Sequence, residues 1–159
     1  MKEEMWSSPL VMSVVDVGTV GDGERKVHIV HISDTHKRHR GLTKKLPAAA
    51  DILVHSGDFL ERHDTSKEME ESLVDFNDWL GEMRDHFTAI VVVAGNHDLL
   101  LKGKSHAEIN EMLSNAHYYV EDESIVVMPF GLTLWGSPWS SAPPTHAFGL
   151  PIRALRAPK

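Results

Sequence analysis

Residues 89–100 read AIVVVAGNHDLL. From Ala89 to Val93 every residue is apolar or small. An unbroken apolar run, rather than an alternating one, marks a strand covered on both faces, as in a parallel sheet flanked by other layers. Gly95 breaks the run, and Asn96, His97 and Asp98 follow with nothing apolar between them. Polar side chains at the end of a buried strand need partners, in the protein or in a ligand.

Two earlier apolar runs end in the same style. Val27–Ile32 breaks into Ser33-Asp34-Thr35-His36, and Ile52–His55 leads to Gly57-Asp58. In open α/β sheets ligands bind in the crevice outside the carboxyl ends of the parallel strands. If these strands are adjacent and parallel, Asp34, His36, Asp58, Asn96, His97 and Asp98 converge there. Gly57 and Gly95 allow sharp turns and close backbone approach just before the polar residues. The donors are carboxylate, imidazole and amide oxygen, with no thiolate. Such a set suits Mn²⁺, Fe, Zn²⁺ or Mg²⁺. Asp-x-His places two ligands on one side of an extended segment. Asp58 has two carboxylate oxygens and is able to bridge two cations, which together clamp an in-line displacement at phosphorus.

The rest of the chain fits around these strands. Leu10–Val17 reads as a strand that pairs with Val27–Ile32 through the Gly21-Asp22-Gly23 turn. The spacing of Met69, Leu73, Phe76, Leu80 and Met83 predicts a helix from Asp64 or Thr65 to Leu80. Thr65 and Glu68 form its capping box, and Gly81 stands at the C′ position. A second helix is expected over Ser105–Ser114, again with a capping box, Ser105 with Glu108. Ser124–Met128 and Leu132–Trp135 read as a hairpin around Pro129-Phe130-Gly131. From Ser137 the chain is rich in Pro, Ala and Ser and reads as a tail. The expected organisation is an N-terminal strand and turn over 1–26, a domain over 27–136 and a tail over 137–159. Strands alternating with helices predict an α/β fold with a mainly parallel sheet.

Composition bounds the function. The chain has 159 residues, enough for one domain with a core. Hydrophobic residues make up 42% and charged residues 25%, ordinary values for a globular protein. A net charge of −7 argues against broad nucleic-acid binding. No cysteine is present, which excludes disulfides and thiolate metal sites. The run Leu10–Val17 is too short to span a bilayer and the first ten residues lack a signal-peptide core, so a cytoplasmic location without membrane contact is expected. Lys37, Arg38, His39 and Arg40 follow the Asp-x-His pair. They read as a solvated basic loop, with phosphate contact as the alternative.

These blocks resemble the calcineurin-like metallophosphoesterase superfamily. Its signature runs Asp-x-His, Gly-Asp, Gly-Asn-His-Asp or Glu, a lone His, and Gly-His-x-His. Here the first blocks stand as SDTH, SGDF and GNHD. ISDTH, DILVHSGDF, FNDWLG, VVVAGNHD and LTLWGSPW are similar to its metallophosphoesterase-domain-containing branch. The resemblance implies the N-terminal part of an α/β/β/α sandwich and two divalent metals. Asp34 and His36 would hold the first metal, Asp58 would bridge, and Asn96 would hold the second. His97 would serve as general acid, Asp98 would orient it, and a hydroxide activated by the metals would attack phosphorus. The implied substrate is a small phosphorylated molecule such as a cyclic nucleotide.

The fourth and fifth blocks have no match. Of the histidines after Asn96, His106 and His117 belong to a surface helix or its neighbourhood, and His146 falls in the expected tail. The expectation is therefore a partial metal site with weak metal binding and little turnover. An unpaired sheet edge is expected to seek a protein partner or a second copy. The competing expectation is an inactive, truncated or alternatively ended chain that acts as a partner-binding or regulatory remnant.

Overall fold

The computed structural model describes residues 11–20, 25–47, 50–143 and 145–150. The Gly21–Gly23 turn and residues 151–159 lie outside the described residues.

The main sheet has five strands in the order β1 (Val11–Val20), β2 (Arg25–Ser33), β3 (Ile52–His55), β4 (Ala89–Val92) and β5 (Tyr118–Tyr119). β1 runs antiparallel to β2, and β2 to β5 run parallel. The register aligns Ile32, His55 and Val92 across the three central strands. Their C-terminal ends therefore stop at one level, as the converging polar blocks require.

The unbroken apolar run of β4 is explained by its two covered faces. Ile90, Val92 and Ala94 belong to a core with Phe76, Trp79 and Leu80 of helix α1 (Ser66–Met83). Ala89, Val91 and Val93 belong to a second core on the other face. That face is covered by an antiparallel hairpin, β6 (Glu123–Val127) with β7 (Leu132–Gly136), through Ile125, Val127, Leu132 and Leu134. The result is a helix layer, a sheet and a partial second sheet, an α/β architecture consistent with a partial metallophosphoesterase sandwich. Phe59, Phe76, Trp79 and Ile90 are fully buried. Each such side chain contributes about 1.5–3 kcal/mol over its exposed form.

The Thr65–Glu68 capping box forms as expected at the start of α1. Ser105 and Glu108 form another at the start of α2 (His106–Met112). Gly81 does not stop α1, which runs through it to Met83. The glycine instead permits a close crossing, since a Cβ there would lie 3.0 Å from Nδ2 of Asn115. Asn115 is itself fixed by hydrogen bonds to Asn77. Lys37, Arg38 and Arg40 of the basic stretch are exposed, as expected, but its backbone is ordered and His39 is not solvated. The stretch enters a 3₁₀ turn over His39–Lys45 in which His39 is buried. His39 and Arg40 bind Asp75, Arg40 also reaches Glu82, and Lys37 pairs with Asp64. The acids of α1 and of the loop before it thus take up this charge.

Residues 137–143 and 145–150 fold back on the domain, where composition suggested a tail. Ser140 and Gly149 form a bridge, and Ala147 and Phe148 are buried in the α1-side core. A Pro- and Ala-rich composition marks irregular backbone, and here two apolar residues anchor it. Among the described residues, no helix is long and apolar enough to cross a membrane.

Candidate metal centre

The site begins where the β2–β3 ladder runs out. Ser56 N–H still donates to Ile32 O, and then Asp34 N–H donates to Gly57 O, His36 N–H to Asp58 O, and Lys37 N–H to Phe59 O. The two loops are thus laced together by main-chain bonds. Asp34, His36 and Asp58 adopt positive φ of 55°, 40° and 57°. Asp and His tolerate this conformation better than most residues, and such strain collects at functional sites. It turns the three side chains toward each other. One donor atom from each lies within 4.8 Å of the others.

The imidazole of His36 is set for ligation. Its Nδ1 lies 3.0 Å from Leu60 O. A carbonyl only accepts, so Nδ1 carries the proton and the Nε2 lone pair is left for a cation.

Below the site, Thr35 is fully buried and contacts Nε2 of His55 at 2.9 Å. Gly57 N–H meets Nδ1 of the same ring. A backbone N–H requires an acceptor, so His55 holds its proton on Nε2. Burial drives its pKa down to about 3.

The third block joins through Asp98. Its side chain is fully buried, and its oxygens accept from the N–H groups of Asp58 at 2.9 Å, Leu60 at 2.9 Å and Gly95 at 2.6 Å. Burial pushes its carboxyl up to about 8, against the pull of the Leu60 and Gly95 donors. Asp98 was expected to orient His97, yet its hydrogen bonds clamp the loop that carries Asp58. The carboxylate facing His97 is that of Glu61, 3.5 Å from Nδ1. His97 donates its backbone N–H to Asp58 Oδ1 at 2.8 Å, and its ring lies 4.7 Å from that of His36, centroid to centroid. Burial lowers its pKa, while Asp58 and Glu61 pull it back up. His36, Glu61 and His97 form a second set of mutually close donors.

Asn96 extends toward His146, whose ring was expected to lie away in the tail. The Asn96 amide nitrogen and His146 Nδ1 are 3.1 Å apart, and Ala147 N–H donates to Asn96 O. Arg62 approaches His146 Nε2. Reading the strand ends alone misses Glu61, Arg62 and His146. For Glu61 and Arg62 the available signal was their place three and four positions after Asp58.

The donors gathered at the ends of adjacent parallel strands are hard: carboxyl oxygens, imidazole and an amide. They fit a divalent cation, and they define the class as an α/β protein with a candidate metal site built on strand-end loops. The family model for calcineurin-like phosphoesterases matches residues 27–145. A UPF0046 protein of Caenorhabditis elegans is 34% identical over 134 residues, covering 76% of this chain and 44% of its own length. The human metallophosphoesterase domain-containing protein 1 is 28% identical over 132 residues, covering 69% of this chain and 36% of its own. The chain belongs to the calcineurin-like phosphoesterase family, and it spans less than half the length of these relatives.

Proposed function

We propose that this site is that of a metal-dependent phosphoesterase acting on small phosphodiesters such as cyclic nucleotides, with Mn²⁺ as a working metal, in the cytoplasm. The convergence of Asp34, His36 and Asp58 within 4.8 Å carries the reading. Asp34 and His36 would hold one cation, Asp58 would reach it and a second, and Asn96 would face the second. Bound cations supply charge neutralisation at phosphorus and lower the pKa of water. His97 is the proton donor to the leaving oxygen. Glu61 favours the charged form of that imidazole, and Asp98 keeps the Asp58 loop in place.

The test is hydrolysis of bis-(p-nitrophenyl) phosphate and of cyclic AMP with and without Mn²⁺. Metal-dependent turnover lost in Asp58→Asn supports the reading. Absence of both metal binding and turnover overturns it. That second outcome would favour the alternative, an inactive remnant that binds a partner. An apolar groove of about 280 Å³ between β4 and β7, walled by Val91, Val93, Leu134 and the 63% exposed Trp135, is what supports that alternative.

A further inference from the structure

We infer that Arg62 sets the specificity of the site by pairing with an anionic leaving group, so that the preferred substrate is a phosphodiester whose departing half carries a carboxylate or a phosphate of its own. The inference rests on the phosphoesterase reading above and adds a class of substrate to it.

Arg62 follows Asp58 by four positions, and it is half-buried. Its Nη1 meets Nε2 of His146. A guanidinium only donates, so Nε2 is the acceptor and the ring proton stands on Nδ1. Nδ1 is 3.1 Å from the Asn96 amide, whose oxygen accepts that proton once the amide is turned by half a rotation. The relay from Asn96 through His146 to Arg62 then has every contact matched. Its backbone is anchored as well. His146 N–H donates to Pro143 O, Lys102 Nζ donates to His146 O, and Ala147 N–H donates to Asn96 O. The guanidinium is therefore held at the edge of the site.

Its charge is left over. The acids beside it in sequence serve other groups: Glu61 faces His36 and His97, and Asp64 binds Lys37. Arg40, by contrast, is matched by Asp75 and Glu82. Among the described residues no carboxylate pairs with Arg62. One of its N–H groups meets His146, and a guanidinium has five. The remaining donors suit the paired oxygens of a carboxylate or a phosphate. A half-buried charge loses hydration that no acid of the fold replaces, and a bound anion would replace it.

Position decides which anion. The scissile phosphate belongs to the cations at Asp34, His36, Asp58 and Asn96. Arg62 is one imidazole away from His97, because the His146 ring that it touches stands edge-on to that of His97, with centroids 6.0 Å apart. His97 gives its proton to the leaving oxygen as the bond from phosphorus to that oxygen breaks. Arg62 therefore stands on the leaving-group side.

The experiment uses the full chain with Mn²⁺ and a set of methyl aryl phosphates. Their 4-nitrophenolate leaving group carries hydrogen, carboxylate or phosphonate at ring position 3. The wild type is compared with Arg62→Gln, Arg62→Lys and Thr65→Ala by the ratio of kcat/KM for the anionic substrates to that for the neutral one. The substituent's own effect on reactivity is common to all the proteins, and a loss of folded protein does not move the ratio. The expected result is a ratio about tenfold or more lower in Arg62→Gln, the scale of a charge-assisted hydrogen bond. Arg62→Lys keeps part of the preference and Thr65→Ala keeps all of it. The larger fall between carboxylate and phosphonate identifies the anion. Where Mn²⁺ binds without turnover, titration calorimetry with the product 3-carboxy-4-nitrophenol decides instead, and its affinity falls by a similar factor in Arg62→Gln. If the deciding measurement is the same in wild type and Arg62→Gln, the inference falls, and the phosphoesterase reading stands on metal-dependent hydrolysis of the neutral substrate. If the chain neither binds Mn²⁺ nor hydrolyses that substrate, both fall together.

Discussion

Gly95 lies so close to Asp58 that a Cβ built on it would sit 2.2 Å from Oδ1 of the carboxylate. The same position would meet Asp58 N at 2.4 Å. Gly57 stands in the reverse relation, its imaginary Cβ 2.6 Å from Gly95 N. The two strand-end turns are thus in contact through glycine, and the Asp58 carboxylate occupies the space that a side chain would need. Gly95→Ala is expected to displace Asp58 and weaken Mn²⁺ binding at least tenfold, while costing about 1–3 kcal/mol through overpacking. Titration with Mn²⁺ and a thermal melt check the two effects. Unchanged metal affinity would show that Asp58 is free to move away.

The hydrogen bonds of Asp98 point to a clamp on the Asp58 loop where its motif suggests an orienter of His97, and a substitution separates the two. If Asp98 steadied His97, Asp98→Asn would impair proton donation and spare metal binding. Its observed bonds run to the N–H groups of Asp58, Leu60 and Gly95. An amide retains one acceptor oxygen, so at least one buried N–H loses its partner, at about 1–3 kcal/mol. The expected result is lower stability and weaker Mn²⁺ binding together. The measurement is chemical denaturation beside the metal titration, and normal metal affinity in a destabilised Asp98→Asn would contradict the clamp.

The capping box of α1 offers a control far from the chemistry. Thr65 Oγ1 accepts from Glu68 N–H, and Glu68 Oε2 accepts from Thr65 N–H at 2.8 Å. Thr65→Ala is expected to lower stability by about 1 kcal/mol. Metal binding should stay at the wild-type level, because the helix remains docked through Phe76, Trp79 and Leu80. A fall in Mn²⁺ affinity of the size expected for Gly95→Ala would mean that the cap reaches the site.

Much of this architecture was legible in the sequence because it rests on local signals. Apolar runs located β2, β3 and β4, and the breaks in those runs pointed to Asp34, His36, Asp58, Asn96 and His97. Serine or threonine three residues before glutamate marked both helix starts. What escaped depends on distant contacts. Gly81 has a helix-stop identity, but its use is the crossing of Asn115. β5 has only two residues and carries no period. The basic turn is ordered by Asp75 and Glu82 of α1, more than thirty positions away. His146 sits among prolines and alanines, where the burial of Ala147 and Phe148 and the distant bond from Ala147 N–H to Asn96 O decide where the loop goes.

His55 should make stability depend on pH in a definite direction. Its neutral form fits its surroundings, with Thr35 Oγ1 at Nε2 and Gly57 N–H at Nδ1. Burial holds its pKa at about 3, against 6.5 for the free side chain. Between these values the unfolded chain binds a proton that the folded chain does not, so stability rises with pH through this window. It is fully present above the unfolded value and declines as the solution is acidified below it. For this one group, going from pH 7 to pH 5 is expected to cost about 2 kcal/mol. His55→Gln replaces the titrating ring with an amide that is able to donate to Thr35 and accept from Gly57. It should remove that part of the slope even if it lowers stability at pH 7. Urea denaturation of both proteins at pH 5, 6 and 7 gives the comparison, and parallel slopes would assign the acid sensitivity to other groups.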